Sequence, residues 1–137
     1  MDKVILKSAV KADIDTVLEI DFLKRKKAIE NAVAKNECYL IMAEGAVVGF
    51  LIFNYNFFGR GFLELIEIKK DLQGKGFGGA AIKKVFEFCK TSKLFTSANE
   101  SNELMKKCLS KLDFVFAGKI KGLDDGDPEL FYYKILK

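Results

Sequence analysis

The sequence predicts an α/β (α+β) fold, a mixed and mostly antiparallel sheet of about seven strands flanked by about four helices. Three observations carry that prediction. Short apolar or alternating runs bounded by turn residues recur along the 137 residues. Between them lie stretches whose apolar residues repeat at helical spacing. One glycine-rich turn, Gly74-Lys75-Gly76-Phe77-Gly78-Gly79, joins a strand-like run directly to a long amphipathic stretch.

Residues 3–8 open as a short strand. From Ala12 to Leu23, Ile14, Val17, Leu18 and Phe22 fall on one helical face. A second helix, over about residues 25–35, carries Ala28, Ile29, Ala32 and Val33. "CYLIMA" (38–43) and "VVGFLIFNYNF" (47–57) flank the turn residues Glu44-Gly45, which predicts a hairpin. Phe58-Gly59-Arg60-Gly61 turns the chain again, and "FLELIEI" (62–68) completes a three-strand meander. After the glycines, Phe77, Ala81, Val85 and Phe88 share one helical face, widened by Ile82, Phe86 and Cys89, with Lys83, Lys84, Glu87 and Lys90 opposite. "LFTSA" (94–98) is the next strand, so strand, helix and strand here predict a parallel crossover. Asn102 to Leu112 is a helix with Leu104, Met105, Cys108, Leu109 and Leu112 as its apolar stripe. Strands at 114–120 and 129–136 close the chain around the acidic turn "KGLDDGDP".

Composition bounds the function. The length fits a single domain spanning residues 1–137, and thirteen Phe with no Trp point to a ring-filled core. A net charge of +4 is too small to argue for nucleic acid. Cys38, Cys89 and Cys108 are scattered, which suggests reduced thiols in a cytoplasmic protein and no metal centre. The absence of His excludes Ser–His and Cys–His nucleophilic mechanisms. Met1 leads into "VILKSAV" with no signal peptide, and no run is long enough to span a membrane.

The glycine turn is the feature that chemistry can use. Glycine lets the backbone adopt angles closed to other residues and lets a ligand approach closely. The first turn of a helix offers unpaired N–H groups and the positive end of the helix dipole, so the two together suit a phosphate. A tight connection that needs glycine for packing alone is the competing account. Gly74-Lys75-Gly76 lacks the spacing and the Ser or Thr of a P-loop. Gly74, Gly76 and Gly79 fit GxGxxG formally, but three antiparallel strands precede them where a dinucleotide-binding fold needs a first βαβ unit.

A third pattern fits better. Gln73-Gly74-Lys75-Gly76-Phe77-Gly78 matches [R/Q]-x-x-G-x-[G/A] between a strand and a long helix, and Asn102 is followed twelve residues later by Phe114. On these motifs and the element order, the chain resembles the GNAT superfamily of acyl-CoA-dependent N-acyltransferases over nearly its whole length. The resemblance implies that backbone N–H groups of Gln73, Gly74, Lys75, Gly76, Phe77, Gly78 and Gly79 bind the pyrophosphate of acetyl-CoA. It implies that strands 62–68 and 94–98 splay, that the pantetheine arm fills the gap, and that the Ile68 N–H binds the thioester carbonyl and its oxyanion. It also places Asn102 against the coenzyme arm, a position equally suited to a helix N-cap.

The reaction so implied is transfer of an acetyl group from a coenzyme A thioester to a primary amine, which must first lose its proton. Glu64 and Glu67 stand in an otherwise apolar strand. Strict alternation sets Glu64 with Phe62, Ile66 and Ile68, and Glu67 on the opposite face, unless a bulge intervenes. The resemblance favours Glu64 as general base, with Glu67 in reserve. The family's usual acid, a Tyr five residues before the Phe, is Leu109 here, and the Gly before that Phe is Asp113. Cys108, Tyr132 and Tyr133 are the alternatives. "KRKK" (24–27) would border the acceptor site, as would Asn54, Tyr55 and Asn56. The competing expectation is a non-catalytic acyl-CoA-binding sensor or scaffold of the same fold. Either a monomer or a homodimer fits, and no nucleic-acid or membrane partner is expected.

Overall fold

The computed structural model describes residues 3–137; Met1 and Asp2, which lead into the first strand, lie outside the described residues. Seven strands form, β1 (Val4–Ser8), β2 (Cys38–Ala43), β3 (Ala46–Phe57), β4 (Arg60–Ile68), β5 (Lys93–Asn99), β6 (Val115–Ile120) and β7 (Glu129–Ile135). They make one sheet in the order β1-β2-β3-β4-β5-β7-β6. Every neighbouring pair is antiparallel except β4–β5, which is parallel. The helices are α1 (Ile14–Ile20), α2 (Lys26–Ala34), α3 (Phe77–Phe88) and α4 (Glu103–Lys111). α3 is the crossover between the two parallel strands, as a parallel pair requires.

Two apolar clusters sandwich the sheet. On one face Phe77, Ala81, Ile82 and Val85 of α3 and Leu109 of α4 pack on Ile41, Leu51, Phe53, Leu63 and Leu94. On the other, Val17 of α1 and Ile29, Ala32 and Val33 of α2 pack on Cys38, Leu40, Phe50 and Ile52. The second cluster draws its strand residues from β2, β3 and Leu65 of β4. The β5–β7–β6 half of that face contributes nothing to it.

Two sequence expectations need correction. The first helix does not reach Leu23: it ends at Ile20, and Phe22 is 83% exposed. The Asp21 carboxylate accepts from the backbone N–H groups of Leu23 and Arg25, a local arrangement that competes with continuing the helix. Leu104 is also exposed, because the stripe of α4 runs through Met105, Cys108, Leu109 and Leu112 at i, i+3, i+4 and i+7.

Candidate active site

β4 and β5 pair over only three rungs, Gly61 with Leu94, Phe62 with Phe95 and Leu63 with Thr96. Thr96 is buried, and its hydroxyl donates to the Leu63 carbonyl at 2.8 Å, fastening the last rung. Beyond it the strands part. The cause lies on the other edge of β4, where Ile52 pairs with Leu65 but Phe53 pairs with Leu63, leaving Glu64 as the extra residue of a bulge. A bulge bends its strand and steepens the local twist, here away from β5.

The register fixes what faces the gap. Gly49 stands opposite Ile68, and the neighbouring Lys69 N–H donates to the Val48 carbonyl at 2.8 Å. That makes Gly49–Ile68 a non-hydrogen-bonded pair, so the Ile68 N–H and C=O point away from β3, toward the side β5 has left. By the two-residue repeat, Ile66 does the same. The Ile68 carbonyl accepts from Gln73 Nε2 at 3.1 Å, which ties the end of β4 to the glycine turn.

In that turn Gly74 and Gly76 have φ of 78° and 91°, in the left-handed region that favours glycine. Gly76 is the N-cap of α3, and no side chain caps this helix. Packing does not require the other glycines: a Cβ at Gly78 would sit 3.8 Å from Ile68 and one at Gly79 3.8 Å from Cys108, both ordinary contacts. Two glycines in the first turn therefore weaken the helix without a packing return. What they leave is a bare, positive helix end beside Ile68. Phe77 is buried and anchors the turn, while Gln73 and Lys75 are exposed at its rim. Asn102 is the N-cap of α4, its side-chain oxygen accepting from the Met105 N–H at 3.1 Å.

The carboxylates are placed by the bulge. Strict alternation along β4 fails: Leu63, Ile66 and Ile68 share the α3 face, while Leu65 belongs to the α1–α2 cluster. Glu64 thus leaves the face of Ile66 and Ile68, because the bulge shifts the alternation by one residue. It is exposed and accepts from Asn54 Nδ2 at 2.9 Å. Asn54 is buried, so this side chain is held firmly. Glu67 lies next to Ile68 in a cleft of about 600 Å³ that Phe22, Lys70 and Gln73 also line. It accepts from the Phe22 N–H at 2.8 Å and sits 3.6 Å from the Arg25 guanidinium. Burial pushes its carboxyl above the usual value, as does the neighbouring Asp21, against the opposing pull of Phe22 and Arg25. Asp21 itself has no exposed surface. Burial alone would raise it, but the Arg25 side chain and two backbone N–H groups hold it below the ordinary carboxylate value.

Of the other candidates, Lys24 lines the same cleft as Glu67, and Tyr132 stands opposite Thr96 at the last rung before the gap. Leu109 is fully buried in the α3–α4 cluster. Burial raises the Cys108 thiol, and drives Cys38 to about 12 with a smaller contribution from Asp13. Tyr132 and Tyr133 fall on opposite faces, Tyr132 in the α3 cluster and Tyr133 beside Phe95. Within "KRKK", Lys24 Nζ donates to the last carbonyls of α1 and Arg25 pairs with Asp21. Asp124 and Asp127 anchor their loop to Asn99 and Ser101. Sequence reasoning missed Asp21 and Thr96. The i, i+4 spacing of Asp21 and Arg25 was a signal for the first, whereas nothing local marks Thr96. Among the described residues no group of three His, Cys, Asp or Glu could hold a metal ion, and no helix is long and apolar enough to cross a membrane.

Residues 10–114 match the family model described as the acetyltransferase (GNAT) family. No curated protein matches the chain. Among solved structures, a GNAT-family acetyltransferase from Bacillus cereus ATCC 10987 is 28% identical, with 96% of each chain covered and a TM-score of 0.87. yncA of Salmonella typhimurium, solved with its cofactor acetyl-CoA, is 18% identical over 99% of this chain and 95% of that one, with a TM-score of 0.76. A chimera of the spermidine N-acetyltransferase SpeG from Vibrio cholerae and hSSAT is 14% identical over 98% and 96%, with a TM-score of 0.78. The family model covers well over half of the sequence, and the chain belongs to the GNAT acetyltransferase family.

Proposed function

We propose that the chain is an N-acetyltransferase that moves the acetyl group of acetyl-CoA to a primary amine by direct attack. The observation that carries this reading is a coincidence of two backbone features. The Ile68 N–H faces a gap where β5 has departed, and the bare N-terminus of α3 stands beside it. The residues fit the coenzyme: a phosphate meets unpaired N–H groups of residues 74–79, the Gln73 N–H being taken by the Lys70 carbonyl, and an extended amide-bearing arm finds unpaired strand edges. The Ile68 N–H then binds the thioester oxygen, where negative charge develops as the amine attacks. Asn102 borders the arm, with its oxygen already engaged in capping α4.

Glu64 takes the proton from the attacking ammonium, directly or through water. It is exposed, aligned by Asn54, and on the sheet face opposite α3. Glu67 is the second reading, favoured by its place beside Ile68 and its raised pKa. Against it, one of its oxygens is bound by the Phe22 N–H and the other faces Arg25. No acid occupies the Leu109 position, and the thiolate of coenzyme A leaves without one.

Calorimetry with acetyl-CoA, followed by thiol release across a broad amine panel, tests this. The expected result is binding that Gly76→Asp abolishes, and amine-dependent release that Glu64→Gln lowers about 100-fold while the acetyl-CoA Kd holds. Full activity of Glu64→Gln with loss in Glu67→Gln transfers the base to Glu67. Tight binding with no release from any amine leaves an acyl-CoA-binding module.

A further inference from the structure

The uncovered half of the sheet carries an aromatic wall. Phe57 curls back from the end of β3 and stacks on Phe62 of β4 at 5.1 Å and on Phe131 of β7 at 5.7 Å between ring centroids. Its ring is 5.0 Å from Phe95 of β5, which in turn meets Tyr133 at 5.8 Å. These rings are partly exposed and belong to neither core cluster. Phe58, 81% exposed, flanks them.

The wall adjoins the gap. Phe62–Phe95 is the rung just before Leu63–Thr96, the last one. Past it come Glu64 on β4 and the hydrogen-bonded pair Ser97–Glu129 on β5 and β7. Phe22, which lines the cleft beside Glu67, is 83% exposed, and its N–H is held by Glu67. An apolar floor thus runs up to carboxylates at the point where acyl transfer would occur.

We propose that the acceptor is a primary amine on a bulky apolar body, an arylalkylamine without a carboxylate, whose body lies on the Phe62–Phe95–Phe131 wall. This rests on the acyltransferase reading above. Glu64, Glu67 and Glu129 attract an ammonium and repel an acid. The wall favours an apolar body over a second cation. One cation is already there: the Lys93 ammonium lies over the Tyr133 ring, 5.1 Å from its centroid, and would repel a second. Burying such a body removes apolar surface from water on both sides.

Steady-state thiol release with 2-phenylethylamine, ethylamine, L-phenylalanine and spermidine tests the inference. The expected kcat/KM for 2-phenylethylamine is at least about tenfold above each of the others, the scale of one buried ring. Phe95→Ala shrinks the 2-phenylethylamine to ethylamine ratio to under about threefold, and Phe95→Leu, which keeps the site filled, gives an intermediate ratio. Equal or better turnover of ethylamine, L-phenylalanine or spermidine overturns the inference and leaves the acyltransferase reading standing. A dimer in solution that Phe58→Asp splits puts a second copy on the wall and overturns it too. Acetyl-CoA binding with no release from these or any wider panel overturns the acyltransferase reading, and this one with it.

Discussion

Asp21 and Glu67 face the same arginine and titrate in opposite directions, which makes them separable by experiment. Asp21 is held below its ordinary pKa, so its contribution to stability is present above the unfolded value and lost as pH falls through the folded one. Asp21→Asn leaves buried donors around a side chain with one acceptor oxygen instead of two. We expect a loss of about 1–3 kcal/mol at pH 7 that narrows in acid, read by urea unfolding at several pH values. Glu67 is held above its ordinary pKa, so its contribution is fully present below the unfolded value and lost as pH rises through the folded one. Glu67→Gln keeps an oxygen for the Phe22 N–H. It should match or exceed the parent near neutral pH and flatten the change in stability between acid and neutral. A neutral-pH loss as large as that of Asp21→Asn would refute the assignment.

At the scale of elements, the glycine turn divides into residues the backbone needs and residues the ligand needs. Gly76 has a positive φ, so Gly76→Ala should cost about 1–2 kcal/mol through strain alone. Gly78 is helical with room for a methyl group, so Gly78→Ala should stabilise the fold by about 0.5–1 kcal/mol. If the turn receives a pyrophosphate, the same change weakens acetyl-CoA binding, and calorimetry beside thermal unfolding shows the two moving apart. Stabilisation with unchanged affinity would mean that the ligand does not approach there. The vertex gives a complementary test. Thr96→Val keeps the shape but strands the Leu63 carbonyl, at a cost of about 1–3 kcal/mol in thermal or urea unfolding. The turn was legible in the sequence because glycine spacing is a local property. Thr96 was not, since its partner is 33 residues away and only the sheet register joins them. The Glu64 face was missed for the same reason: a bulge is a relation between two strands, and alternation read along one strand cannot contain it.

Over the whole molecule, the strand order follows from patterns the sequence displays: a meander, one helical crossover and a closing hairpin. The depth of the gap does not, because it depends on how far β4 and β5 stay paired. Only three rungs bridge the two halves of the sheet, so the half built on β5, β6 and β7 leans on the α3–α4 packing on one face and the Phe57 stack on the other for the rest. Filling the gap should therefore join the halves, and ligand at about 100 times its Kd adds about 2.7 kcal/mol to the folded state. Hydrogen exchange resolves where that coupling acts. In the free protein the amides of Leu65 and Glu67, directed at β3, should exchange slowly, while those of Ile66 and Ile68, directed at the gap, exchange faster. Acetyl-CoA should slow Ile66 and Ile68 and leave Leu65 and Glu67 little changed. Protection that instead rises evenly along β4 would reflect global stabilisation by a ligand bound elsewhere, and the gap would not be its seat.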